Sequence, residues 1–162
     1  MYSMRMLAGA MLAVAVSGAV AQTAPAVGVK RLAMETALNI AGAAVEACRG
    51  QGIQIGVTVV DRDGTVQVAL RDTIAAPVTL EISRQKAFTA ANFNAPTSAL
   101  GDRANTPIGR VSGLVMSPSG LPITAGGSLL GAVGVSGAPS GLTDEACAQA
   151  GIDRVLDDLE LM

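Results

Sequence analysis

The residues best able to do chemistry in this chain gather in one stretch, "SRQKAFTAANFNAPTSAL", at positions 83 to 100. Lys86 stands there beside both of the chain's phenylalanines, Phe88 and Phe93. Ile82, Lys86, Thr89 and Phe93 follow one another at helical spacing and share one stripe. A lysine on such a stripe has three uses: a snorkelling stem that covers the core edge, a sheltered cation for a carboxylate, or an amine of lowered pKa that moves protons. Asn94 is suited to end the helix in a left-handed conformation and Pro96 to open the next one. Thr97 and Ser98 then lie at a helix start whose free N–H groups suit an anion, although chain punctuation alone explains the same letters.

Absences narrow the chemistry further. The chain has no histidine, which removes Ser-His-Asp and Cys-His catalysis, the usual zinc sites and imidazole ligation of haem iron. The glycines of "GAVGVSG", Gly131, Gly134 and Gly137, match neither a dinucleotide fingerprint nor a phosphate loop. Their better use is to let another backbone or a flat ligand approach. "DRDG" at 61 to 64 lacks the further ligands of a calcium loop and reads as a hairpin turn.

The elements that must position these residues are legible from periodicity. Val29 to about Arg49 has apolar positions three or four apart and predicts an amphipathic helix. Ile53, Ile55, Val57 and Val59 alternate with polar or small residues, and after the Asp-Gly turn Val66, Val68 and Leu70 do the same, which predicts a β-hairpin. A helix is expected from about Leu80 to Phe93, a shorter helical turn from Pro96 to about Arg103, and a loop over 101 to 113. Short strands are expected at about 113–116 and 123–125, then a Gly126-Gly127 turn into a last strand, and a final helix from Thr143 to Leu159. Strands in hairpins with helices between them predict an α+β domain with an antiparallel sheet.

The N-terminus reads as an export signal. Arg5 precedes an apolar run from Met6 to Val20, and Ala19-Val20-Ala21 suits cleavage after Ala21. The expected organisation is a signal peptide at 1–21, a flexible arm at 22–28 and a single domain at 29–162, periplasmic or secreted. The run is shorter than the roughly 20 residues that a membrane span requires, and no later segment approaches that length. Against 13 acidic side chains there are 11 basic ones, and Arg5 leaves with the leader, so nothing suggests a nucleic-acid partner. In an oxidising compartment the two cysteines, Cys48 and Cys147, are expected to form one disulfide.

Read together, "VTVVDRDGTVQVALRD", "ISRQKAFTAANFNAPTSAL", "GLPITAGGSLLGAVGVSGAPSG" and "DEACAQAG" resemble the GlcG/HbpS-like family of haem-binding proteins over about residues 30 to 156. The resemblance implies a profilin-like α/β/α sandwich around a five-stranded antiparallel sheet, and assembly into a homo-oligomer. It implies an exported haem- or tetrapyrrole-binding protein in haem or iron handling or redox sensing, which favours a binding role and leaves catalysis open. The ligand-binding residues it points to are Lys86, Thr89, Phe93, Thr97, Arg84, Arg110 and Gly134, with the Thr97 hydroxyl as a weak iron ligand. The chain departs from the family pattern at Ser119-Gly120, where a glycine pair is usual before L-P-I. Two other readings remain: a small-molecule (organic acid) binding protein or enzyme that uses Lys86 as cation or base, and a structural oligomer with no ligand.

Overall fold

The computed structural model describes residues 25–161; the expected signal peptide and the first residues of the arm lie outside them. The elements are α1 (Met34–Arg49), β1 (Gly56–Asp61), β2 (Val66–Arg71), α2 (Val78–Phe93), β3 (Gly120–Ala125), β4 (Ser128–Ser136), α3 (Gly141–Asp153) and α4 (Leu156–Glu160). Short 3₁₀ segments occupy Thr97–Arg103 and Pro107–Arg110. The strands form one antiparallel sheet in the order β2-β1-β4-β3.

The expected α+β class and antiparallel sheet are present, but the sheet has four strands rather than five. The missing strand is the one expected at 113–116. Its backbone hydrogen bonds go elsewhere: Val115 N donates to Thr89 Oγ1 of α2 at 2.9 Å, so the segment is fastened to a helix side chain instead of a ladder. Strand β3 starts earlier than expected, at Gly120.

Helix α1 likewise starts at Met34 rather than Val29. Residues before it stay extended because Leu32 is buried and its carbonyl accepts Gln67 Nε2 at 2.9 Å. Arg31 pairs with Asp61 and Asp63 and ties the segment to the β1–β2 turn. Within that turn Asp61 Oδ1 accepts the amides of Asp63 and Thr65, each at 2.9 Å, and Gly64 takes a φ of +85°, which its missing Cβ permits. The expected last helix is two: Ser140 caps α3 by accepting Thr143 N, and Val155, at φ −118°, breaks the helix before α4.

One face of the sheet packs on α1 and α3. Val57 and Val59 of β1, Val133 and Val135 of β4, and Leu121 and Ile123 of β3 meet Ile40, Ala44, Ala148 and Ile152 there. A fully buried aliphatic side chain contributes about 1.5–3 kcal/mol, so this aliphatic layer, with almost no aromatic rings, is the main source of stability. Cys48 and Cys147 form the expected disulfide between α1 and α3, with Cα atoms 5.6 Å apart. The other face takes α2 against a much smaller cluster of Val60, Ala87, Ala90, Ala91 and Ala132.

That second face explains the glycine strand. Gly134 pairs with both Thr58 and Gly120 across the sheet. A Cβ at Gly134 would fall 2.1 Å from the Ser83 carbonyl, and one at Gly120 would fall 2.3 Å from the Lys86 carbonyl. Helix α2 therefore rests its backbone directly on the sheet, and the glycines admit a backbone at these two positions.

Candidate functional site

The close approach of α2 carries Lys86 into the protein. Lys86 is 4% exposed; its Nζ donates to Ser119 Oγ at 2.9 Å and to the Val135 carbonyl at 3.1 Å. It also lies 3.6 Å from Asp144 Oδ2 of α3. Ser119 Oγ donates in turn to the Val135 carbonyl, and Asp144 Oδ1 accepts Ala138 N at 2.8 Å. Burial drives both ionisable groups toward their neutral forms: the Lys86 pKa is lowered, with Asp144 opposing, and that of Asp144 is raised, with the Ala138 amide and Lys86 opposing. Lys86 is thus a cross-link among α2, the start of β3, β4 and α3.

The two threonines of the same stretch also turn inward. Thr89 and Thr97 are fully buried. Thr89 Oγ1 donates to the Gln85 carbonyl at 2.7 Å and accepts Val115 N. Thr97 Oγ1 donates to the Ser117 carbonyl at 2.6 Å and accepts Gly120 N at 2.8 Å. Glu145 adds a third fastening by accepting Ser98 Oγ at 3.0 Å and Ser119 N at 2.9 Å. These contacts pin both ends of the chain excursion from Ser98 to Leu114, and the hydroxyls of Thr89 and Thr97 are spent on the backbone.

The remaining expected residues separate. Phe93, half-buried at the end of α2, has the Arg103 guanidinium 5.8 Å from its ring centroid, a cation–π distance. Arg110 stands exposed on the 3₁₀ turn Pro107–Arg110, with exposed Ile108 and Val111 beside it in sequence. Arg84 lies elsewhere on α2, bound through Nε at 3.0 Å and Nη2 at 2.7 Å to Glu81. It lines a groove of about 410 Å³ between α2 and β2.

Sequence reasoning placed Lys86, Thr89 and Phe93 on one stripe, yet the fold uses the first two as internal fastenings and leaves the third at the surface. It missed Asp144, Glu145 and the role of Ser119. A buried lysine calls for a carboxylate partner, but nothing in the spacing selects Asp144 among 13 acidic residues. Ser119 was visible as a departure from a glycine pair, and its φ of +102° shows why glycine suits that position. Among the described residues no cluster of His, Cys, Asp and Glu is arranged to hold a metal ion, and no helix is long and apolar enough to cross a membrane.

Residues 32–153 match the family described as haem degrading protein HbpS-like. The chain is 38% identical to a crystallised double mutant of HbpS from Streptomyces reticuli, with a TM-score of 0.77 over 86% of this chain and 97% of that one. It is 27% identical to the protein in a PduOC–haem complex, with a TM-score of 0.71 over 76% of this chain and 94% of that one. A Klebsiella pneumoniae protein, ORFY, shares the fold at 22% identity and a TM-score of 0.77, over 83% of this chain and 97% of that one. No curated protein matches the sequence. With a family match over most of its length and the same architecture as HbpS, the chain belongs to the HbpS-like family.

Proposed function

We propose that this protein binds haem or a related tetrapyrrole as an exported homo-oligomer, in haem or iron handling or redox sensing. The family match over residues 32–153 carries the reading, and the haem complex of a relative supports it. The leader pattern and the disulfide are consistent with export. Exposed Met34 and Leu38 on α1 suit self-association.

The described residues fit the periphery of the group better than its iron. Phe93 offers a ring face, and Arg103 and Arg110 offer guanidinium groups suited to propionates. Lys86, Thr89 and Thr97 are committed inside the fold, so the ligand rests on the surface formed by the end of α2 and the excursion after Thr97. No histidine would be available to the iron of a bound haem, and both cysteines are in the disulfide. Met116, buried beside Val115, supplies the thioether class of donor. Haem would bring redox-active iron to this surface; the chain's own residues supply ring stacking and charge.

Haemin titrated into the purified protein should give a saturable Soret shift, weakened at least about ten-fold in Phe93→Ala/Arg103→Ala. Size-exclusion chromatography with light scattering reads assembly in parallel. Absence of any Soret change in the wild-type protein would reject the reading, and a single-protomer mass would reject its oligomeric part.

A further inference from the structure

The groove between α2 and β2 is independent of the surface around Phe93. Thr58, Val66, Ala69, Pro77, Leu80, Glu81 and Arg84 line it, and its volume of about 410 Å³ lies within the range of small-molecule sites. Its walls are mostly apolar: Val66 and Ala69 are exposed on β2, and Pro77 and Leu80 belong to the start of α2 and the loop before it.

The polar groups of the groove are nearly all used. Thr58 Oγ1 shares a hydrogen bond with Ser83 Oγ at 2.8 Å. Glu81 Oε1 accepts Arg84 Nη2 and Gln85 Nε2, and its Oε2 accepts Arg84 Nε. Among the described residues Arg84 Nη1 donates to no protein group. Glu81 holds the guanidinium by one edge, which fixes the fork at the groove and leaves a charged donor beside an apolar trough. The pairing also keeps Arg84 ionised, raising its pKa through the hydrogen bonds it donates to Glu81.

From this arrangement we infer that the groove binds a small carboxylic acid with an apolar body, its carboxylate taken by Arg84 and its body laid against Val66, Ala69, Pro77 and Leu80. The site stands whether or not the protein binds haem. It gives the organic-acid reading a different anchor from Lys86, whose amine has no free donor direction once Ser119, Val135 and Asp144 are satisfied.

The test is a ¹H–¹⁵N NMR titration of the purified protein with hexanoate and with its neutral analogue hexanamide. Hexanoate should give saturable shifts confined to the amides of β2 and the first half of α2, and hexanamide should bind about ten-fold more weakly. Arg84→Gln should reproduce that loss for hexanoate, and Ala69→Leu, which fills the trough, should abolish saturable binding. Equal binding of the two probes, no loss in either variant, shifts centred on Phe93 and Val111, or no saturable shift at all would each overturn the inference. Haemin added to the hexanoate complex should leave the groove shifts unchanged; displacement of hexanoate by haemin would overturn it as well.

Discussion

Lys86 Nζ and Asp144 Oδ2 lie 3.6 Å apart with only 5% of either side chain exposed, so a lysine of α2 and an aspartate of α3 are paired from opposite faces of the sheet. Two elements that share little other contact are thereby joined through the edge of β3 and β4. Both charges pay for desolvation, and their mutual attraction with the hydrogen bonds to Ser119, Val135 and Ala138 offsets that cost.

Removing one member of this pair should be far worse than removing both. Lys86→Met leaves Asp144 buried without its cation and should destabilise the protein by about 3–5 kcal/mol in urea denaturation. Lys86→Met/Asp144→Leu should lose clearly less than the two single losses added together. Strict additivity would show that the pair acts as two independent groups.

The contact between α2 and the sheet predicts opposite outcomes at two glycines. At Gly134 an added Cβ meets the Ser83 carbonyl at 2.1 Å and Ala87 N at 2.6 Å, both backbone, so Gly134→Ala should cost about 3 kcal/mol or more. In α1 a Cβ at Gly42 meets nothing within 4 Å, so Gly42→Ala should be neutral or stabilise by up to about 1 kcal/mol through helix propensity. Thermal unfolding of the two variants checks both signs.

The disulfide closes a separation of 99 residues. Cys48→Ala/Cys147→Ala should lower stability by about 2–5 kcal/mol. Dithiothreitol should shift the melting temperature of the wild-type protein and leave that of the double variant in place. A wild-type melting curve that reductant does not move would count against a structural role for the bridge.

Asp72 sets an acid limit. Hydrogen bonds from Arg49 at 3.1 and 2.7 Å, and then from Thr73 N, hold its pKa below the usual carboxylate value. A depressed folded-state pKa gives stability that is present above the unfolded value of about 3.9 and is lost as pH falls through the folded value. Asp72→Asn should therefore lower stability at neutral pH and flatten its fall on acidification below about pH 4, measured by urea denaturation across pH.

Much of the local structure was legible because its causes are local. The "DRDG" turn follows from an Asp side chain that bonds its own backbone and a glycine at positive φ, and the Gly126-Gly127 turn follows from two positive φ values that only glycine adopts easily. The apolar spacing of Cys147, Gly151, Val155 and Leu159 anticipated four buried positions even though the helix breaks between them. The hairpin was found, but its faces were read incompletely. Gly56 and Thr58, small and polar positions that alternate with Ile55, Val57 and Val59, are buried because α2 covers that side too. Val66 was grouped with Val68 and Leu70, but a register shift opposite Val59 and Val60 sends it to the other face, where it lines the groove with Arg84.

The sequence by itself determined most of the element types, though not the absence of a strand at 113–116 or the break at Val155, together with the disulfide, the exclusion of imidazole chemistry and the family, since each rests on composition, short-range spacing or a string of residues. Only the tertiary structure decided what Lys86, Thr89 and Thr97 do. Helical phase says which residues share a side of α2, but whether that side meets water depends on how closely the helix approaches the sheet. Gly120 and Gly134, 34 and 48 residues beyond Lys86, remove the side chains that would have held it away. The resulting contact buries the lysine against Ser119 and Asp144, while Phe93 stays half-buried beside Arg103 and Arg84 lines the groove between α2 and β2.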